Sequence, residues 1–109
     1  MLAGEHSSRT FLVFDENAPV GFVEVSMRDW AEGCETRGVG YLEGIFVDES
    51  HRRRGVASAL LAYSEEWARA QGATEFASDV EMDNVISQQW HGLRGFSEVA
   101  KAVLYRKDL

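Results

Sequence analysis

The chain has 109 residues and 12.2 kDa, with 45% hydrophobic residues, 27% charged residues, one Pro and 10 Gly. That is enough for one core, burying roughly two-thirds of the unfolded surface, and the mix excludes a disordered tail or a collagen-like chain. Eighteen acids against 11 bases give a net charge of −7, a poor match for nucleic acid or anionic lipid and a plausible one for a cationic substrate.

The charge is unevenly placed. Residues 1–50 carry ten acids and three bases, hence −7, and residues 51–109 carry eight of each, hence zero. Cys34 is the single cysteine, so no internal disulfide can form and a reducing, cytoplasmic setting is expected. No Cys/His cluster has metal-ligand spacing, and no apolar run is long enough to span a bilayer. The first ten residues have no apolar stretch of the kind a signal peptide needs.

Thr10 to Phe14 is a β-rich run, and the turn formers Asp15 to Pro19 follow it. Val20 to Arg28 then alternates, with Val20, Phe22 or Val23, Val25 and Met27 set among Glu24, Ser26 and Arg28. The two runs read as an antiparallel hairpin. Asp29 to Gly38 is a polar loop. Val39 to Val47 is a third strand, whose interior Gly44 suggests a bulge or a close backbone approach. Asp48 to Arg54 is a charged loop, and His51 reads there as a solvated residue. From Gly55 the spacing changes to three and four, through Val56, Leu60, Ser64, Trp67 and Gln71, which predicts an amphipathic helix stopped by Gly72. Tyr63 and Trp67 on this helix read as core or interface. Ala73 to Ser78 is a short strand. Asn84 can cap a second helix running to about Arg94, with Gly95 as its stop and Trp90 as packing. Phe96 to Val99 and Ala102 to Arg106 read as two terminal strands. The expected order is β-β-β-α-β-α-β-β in one domain over 1–109. This is an α/β (α+β) layer with one parallel crossover in a mostly antiparallel sheet.

The densest chemistry is Arg52-Arg53-Arg54-Gly55-Val56-Ala57-Ser58, set between a buried strand and the first turn of a helix. A helix N-terminus offers unpaired N–H groups and the positive end of a dipole. Gly55 allows close backbone approach, and the arginines add forked donors suited to a pyrophosphate. The spacing is neither a Walker loop nor a dinucleotide fingerprint. Glu43 is a charge in an otherwise apolar strand, which is costly unless it faces a cleft or a partner.

The Arg-x-x-Gly-x-Ala pattern after an apolar strand resembles the acetyl-CoA loop of the GNAT acetyltransferases. Asn84, Ser87 and His91, followed by Gly95-Phe96, match the second helix of that superfamily. A narrower resemblance, to aminoglycoside 6′-N-acetyltransferases, is carried by five segments in order. They are Gly33-Cys34-Glu35-Thr36, Leu42 to Val47, Glu75 to Asp79, Asp83-Asn84, and His91-x-x-x-Gly95-Phe96.

The resemblance implies acetyl-CoA as cofactor. The backbone of Ile45, Phe46 and Val47 would bond the pantetheine arm. Arg52, Arg53, Arg54, Gly55, Val56, Ala57 and Ser58 would hold the pyrophosphate, and Asn84 would meet the pantetheine or acetyl end. Glu43, Asp79 and Trp30 would face the acceptor amine, with Glu43 or Asp79 as general base and His91 as a candidate acid for the leaving thiolate. Transfer would be direct, without an acyl-enzyme, and Cys34 is not a nucleophile. The match begins late, lacking the strand and helical pair with which the family opens, and Ala100 stands where relatives often place an acid. An N-acetyltransferase for aminoglycosides is therefore expected. An enzyme for another small amine or a protein N-terminus stands as an alternative, as does a CoA-binding remnant without activity. A homodimer pairing through Ala102 to Arg106 is also expected.

Overall fold

A computed structural model describes residues 7–109. Its elements are β1 (Ser8–Asp15), β2 (Ala18–Arg28), β3 (Val39–Val47), a 3-10 turn (Glu49–His51), α1 (Val56–Ala70), β4 (Phe76–Ser78) and α2 (Val85–Leu93). They divide into two units, one reaching to Asp79 and the other running from Val80 to Leu109.

In the larger unit the strands form one sheet in the order β1-β2-β3-β4. The first two pairings are antiparallel, and β3 with β4 is parallel. The crossover helix between β3 and β4 is what allows that parallel pair. The hairpin turn is two residues, with Glu16 at φ 57. Pro19 is tolerated in an interior strand because it lies beside the register shift at Val13/Phe14 and outside the β2–β3 pairing, which starts at Gly21.

One face of the sheet packs on α1. Val23 and Val25 of β2 and Leu42 of β3 are buried there with Leu60, Leu61, Ser64 and Ala68. Ser64 is tolerated in the core because its hydroxyl donates to the Leu60 carbonyl at 2.9 Å. Gly40 marks the tightest approach, since a Cβ there would stand 2.7 Å from the Ala68 Cβ and 2.6 Å from the Phe76 ring. Tyr63 is exposed but stacks on Phe11, with ring centroids 6.0 Å apart. On the opposite face, the loop after β2 lays Ala31 and Cys34 against Val39, Tyr41 and Ala77. Burial and nearby Glu75 push the Cys34 thiol up, which keeps it an unreactive packing residue.

The smaller unit contains α2. The Asn84 side chain caps it by accepting from Ser87 N at 3.1 Å. The helix ends at Leu93 with Arg94 as its C-cap, and Gly95 follows at φ 93 as the stop expected from the sequence.

The expected strands Phe96–Val99 and Ala102–Arg106 do not form, and no helix or strand follows Leu93. The described order is therefore β-β-β-α-β-α. The apolar alternation at Val103 and Tyr105 supplies strand propensity, but a strand also needs a hydrogen-bonding edge. None pairs with this segment, and Val103, Leu104 and Tyr105 stay at least 73% exposed.

Candidate functional site

The site begins with a register shift. Val25 of β2 pairs with Leu42, and Glu24 pairs with Gly44, so Glu43 is the extra residue of a β-bulge. A bulge unpairs one residue and re-aims its side chain. Here it lets a charged residue leave an otherwise apolar strand. A Cβ at Gly44 would meet nothing within 4 Å, so there is open space beside the bulge.

The Glu43 carboxylate is tied to β2. Arg28 forks onto it, Nε to Oε2 at 2.9 Å and Nη2 to Oε1 at 2.6 Å, and the Ser26 hydroxyl donates to Oε2 at 2.5 Å. The Arg28 fork first, and the Ser26 hydroxyl after it, hold the Glu43 carboxyl below the usual range against the opposing pull of burial. The Arg28 guanidinium also stands 3.5 Å from the centroid of the Tyr41 ring. The Tyr41 hydroxyl donates to Asp79 Oδ2 at 2.6 Å. Burial first, and then this bond to a carboxylate, push the phenol up to about 12, so it remains a donor at any ordinary pH. The structure thus brings Glu43 and Asp79 into one cluster, and the residues joining them are Ser26, Arg28 and Tyr41. The sequence reading missed these three. The available signal was that Ser26 and Arg28 on one strand, and Tyr41 and Glu43 on the next, are spaced by two and share a face.

Trp30 is 60% exposed in the loop after β2, next to the buried Ala31. A second carboxylate fixes that loop. Glu75 accepts from Glu35 N at 3.0 Å and Thr36 N at 2.8 Å, and from the Thr36 hydroxyl. These bonds, led by the Thr36 hydroxyl, hold its carboxyl low.

The arginine loop lies at the other end of β3. The β3–β4 pairing covers only Gly40 to Leu42, so beyond it the β3 edge through Ile45, Phe46 and Val47 meets no strand among the described residues. Arg52 turns back, its Nε donating to the Val47 carbonyl at 3.0 Å. Arg53 and Arg54 are exposed. Gly55 is the N-cap of α1 at φ +79, a left-handed geometry that favours glycine, with open space where a Cβ would be. The N-cap glycine has no side chain to cap this helix, and no acid lies in its first turn, the turn that Val56, Ala57 and Ser58 begin. An uncapped N-terminus flanked by arginines fits an anionic phosphate group, and an open strand edge beside it fits an amide-bearing chain.

His51 is not the solvated residue expected. Its Nε2 meets Asp15 Oδ2 at 2.8 Å and its Nδ1 meets Asp48 Oδ2 at 3.3 Å, tying the turn after β3 to the β1–β2 hairpin. Asp15 first, then Asp48, push its pKa up.

Two expected site residues belong to the smaller unit. Asn84 acts as the α2 cap. The His91 ring meets the Ser87 carbonyl at 2.7 Å through Nδ1, and packs against Trp90 and Phe96. A carbonyl only accepts, so Nδ1 carries the proton of that bond.

Among the described residues, no group of His, Cys, Asp or Glu could hold a metal ion, and no helix is long and apolar enough to cross a membrane.

Comparison with known proteins gives the family. Residues 2–96 match the model of the acetyltransferase (GNAT) family. The chain is 42% identical over 110 residues to an aminoglycoside N(6′)-acetyltransferase type 1 of Serratia marcescens, covering all of this chain and 75% of the relative. Among solved structures, it is similar to the aminoglycoside 6′-N-acetyltransferase AAC(6′)-Ig of Acinetobacter haemolyticus without ligand, at 41% identity and TM-score 0.86. That match covers 94% of this chain and 71% of the other. It is also similar to AAC(6′)-Iy bound to a bisubstrate analogue of CoA and acetylneamine, at 38% identity and TM-score 0.88. There the coverage is 94% of this chain and 70% of the other. The bulged third strand, the open edge beyond it and the uncapped arginine-flanked helix thus occur in a chain that belongs to the acetyltransferase (GNAT) family, as a homologue of aminoglycoside 6′-N-acetyltransferases.

Proposed function

We propose that this chain is an N-acetyltransferase that moves the acetyl group of acetyl-CoA to the 6′-amine of an aminoglycoside. The observation that carries the reading is the pairing of two differently charged sites on β3: an open edge with an uncapped helix N-terminus at one end, and a bulge bearing Glu43 with Asp79 near it at the other. The first fits an anionic cofactor and the second a cationic acceptor. The relatives named for aminoglycoside acetylation, and the one solved with a CoA–acetylneamine analogue, support the same assignment.

When bound, acetyl-CoA supplies an activated thioester carbonyl. The N–H groups of Val56 to Ser58, with Arg53 and Arg54, would hold its pyrophosphate. The edge from Ile45 to Val47 would hold the pantetheine arm, and Asn84 the part nearest the acetyl group. Backbone N–H groups along the bulge would face the oxygen on which negative charge develops. Glu43 and Asp79, with Trp30 alongside, would receive the acceptor ammonium. Glu43 is held at low proton affinity by Arg28, which suits it to orient a cation more than to deprotonate one. The proton would pass to Asp79, directly or through a water. The amine then attacks without an acyl-enzyme. His91 already donates from Nδ1 to Ser87, so it could protonate the leaving thiolate only from Nε2 of the imidazolium.

The family match runs from residue 2 to residue 96, through the first unit and into the second, which supports treating the chain as one functional domain. The exposed apolar residues Val99, Val103, Leu104 and Tyr105 favour a homodimer in which a partner covers the C-terminal segment. A lone, half-buried cysteine is compatible with the cytoplasm.

The test is turnover. With acetyl-CoA, kanamycin should gain one acetyl group at the 6′-amine, located by mass spectrometry and NMR. Glu43→Gln should lower kcat/KM by about a hundredfold, the scale of losing a charged contact to the acceptor. Acetyl-CoA binding without transfer to any aminoglycoside would overturn the assignment. Transfer only to other amines would replace the substrate and keep the chemistry. Light scattering at micromolar concentration tests the dimer.

A further inference from the structure

We propose that Arg28 sets which cations the acceptor face admits: it is a resident guanidinium that occupies Glu43 until an acceptor ammonium takes its place. The inference rests on the acceptor reading above and goes beyond it, because Arg28 belongs to none of the motifs that led there.

The geometry is specific. Arg28 forks onto both oxygens of Glu43 at 2.9 and 2.6 Å. The same guanidinium stands 3.5 Å from the centroid of the Tyr41 ring, and the hydroxyl of that ring is bonded to Asp79. One cation therefore binds the first carboxylate and lies over the ring that holds the second. The fork satisfies the donors an incoming ammonium would otherwise supply, so the site carries its own stand-in for substrate. The pair is also accessible: the side chains of Arg28 and Glu43 are 42% and 30% exposed. An exposed ion pair is weak enough to be exchanged, whereas a buried one would hold the face shut.

Charge then decides selectivity. Two carboxylates and one guanidinium leave the cluster at −1, and removing Arg28 would leave −2. An acceptor presenting one ammonium can settle against Asp79 with the fork in place. An acceptor whose ammonium groups reach both Glu43 and Asp79 must lift Arg28 from Glu43, and it meets like-charge repulsion while doing so. Arg28 therefore penalises polycations in proportion to how many of their charges enter the cluster.

The experiment compares the full-length wild-type chain with Arg28→Gln and Arg28→Lys. Each is assayed with acetyl-CoA on acceptors of rising amine count, from a monoamino sugar through kanamycin to a six-amine aminoglycoside. For Arg28→Gln, KM should fall about tenfold for the polyamines, the scale of one charged contact, while the monoamine shifts by no more than about twofold. The change should fall on KM more than on kcat, because the exchange precedes chemistry. KM unchanged across the series overturns the proposal. So does KM raised equally for every acceptor, which would make Arg28 a positioning residue that holds Glu43 in its productive place. Acetyl-CoA calorimetry reports whether Arg28→Gln is folded. If it is not, Arg28→Lys decides. It keeps the charge but loses the fork, and its KM for polyamines should fall by about threefold. An unchanged or raised value overturns the proposal. A wild-type chain that binds acetyl-CoA but acetylates nothing in the series fails the acceptor reading itself, an outcome separate from any effect of Arg28.

Discussion

The two ends of β3 handle charge in opposite ways. At the arginine loop the helix start carries no acid: its N-cap is Gly55, which adds no bulk, and Arg53 and Arg54 are exposed. At the bulge each carboxylate already holds a donor, Glu43 from Arg28 and Ser26, and Asp79 from Tyr41. The difference follows from what each end can bind. A pyrophosphate is a compact dianion that a backbone cradle can meet without competitors. A ring of free carboxylates, by contrast, would repel itself and would take up any cation, so pairing lends it order and selectivity.

Breaking the arginine-loop end should give the largest effect. Arg53→Glu with Arg54→Glu reverses two charges beside an anion. Acetyl-CoA affinity measured by calorimetry should fall by about a hundredfold, the equivalent of one or two lost charge-assisted bonds. The KM for the acceptor should stay within about twofold, since these arginines take no part in the Glu43 cluster. An equal loss at both sites would mean that the two ends are not separable.

Gly40→Ala attacks what the two ends share. Its Cβ would enter the contact between α1, which begins at the arginine loop, and β3, which carries Glu43. Overpacking of this kind costs about 1–3 kcal/mol. For a domain near this size, a Tm lowered by roughly 4–8 °C per kcal/mol should be seen in calorimetry. Smaller losses at both sites should accompany it.

Tyr41→Phe sharpens the paired end alone. It removes the donor to Asp79 and leaves the ring under Arg28. A neutral-to-charged hydrogen bond is worth about 1.5–3 kcal/mol, reduced by partial exposure. Acceptor KM should rise by about three- to tenfold with acetyl-CoA affinity unchanged. Because the phenol titrates only near 12, wild type and variant should show parallel KM–pH profiles below about pH 10.

The smallest effects are pH-linked stability terms. Glu43 and Glu75 are held below their unfolded values, so their stabilisation is present above about pH 4.5 and is lost as pH falls through their folded values. His51 is raised, so its contribution is complete below about pH 6.5 and disappears as pH rises through the folded value. Glu75→Gln should flatten the acid limb of a Tm–pH curve, and His51→Gln the limb above neutrality. An unaltered curve in either variant would show that the corresponding contact is not formed in solution.

Much of the architecture was legible in the residues. Val39–Val47 falls where its apolar run places it, the α1 start at Val56 where three-to-four spacing begins, and Asn84 caps α2 as its side chain suggests. Those features depend on neighbours within a few positions. The terminal strands were misread because propensity is local while a strand requires an edge elsewhere in the chain. Glu43, Asp79 and the arginine loop stood out by their spacing and motifs. Arg28, Tyr41 and His51 did not, since each acquires its meaning from a partner on another element.

The sequence by itself determined which residue types were available: a glycine where a helix begins beside arginines, and a carboxylate inside an apolar strand. Tertiary structure alone decided which charges remain open. The register shift that makes Glu43 a bulge lets Arg28 reach it across 15 residues of chain. The α1 N-terminus, by contrast, has a glycine at its N-cap and no acid in its first turn. The physical reason is that charge pairing requires contact within a few ångströms. Cross-strand register sets that proximity, whereas spacing along the chain tells only which residues of one strand share a face.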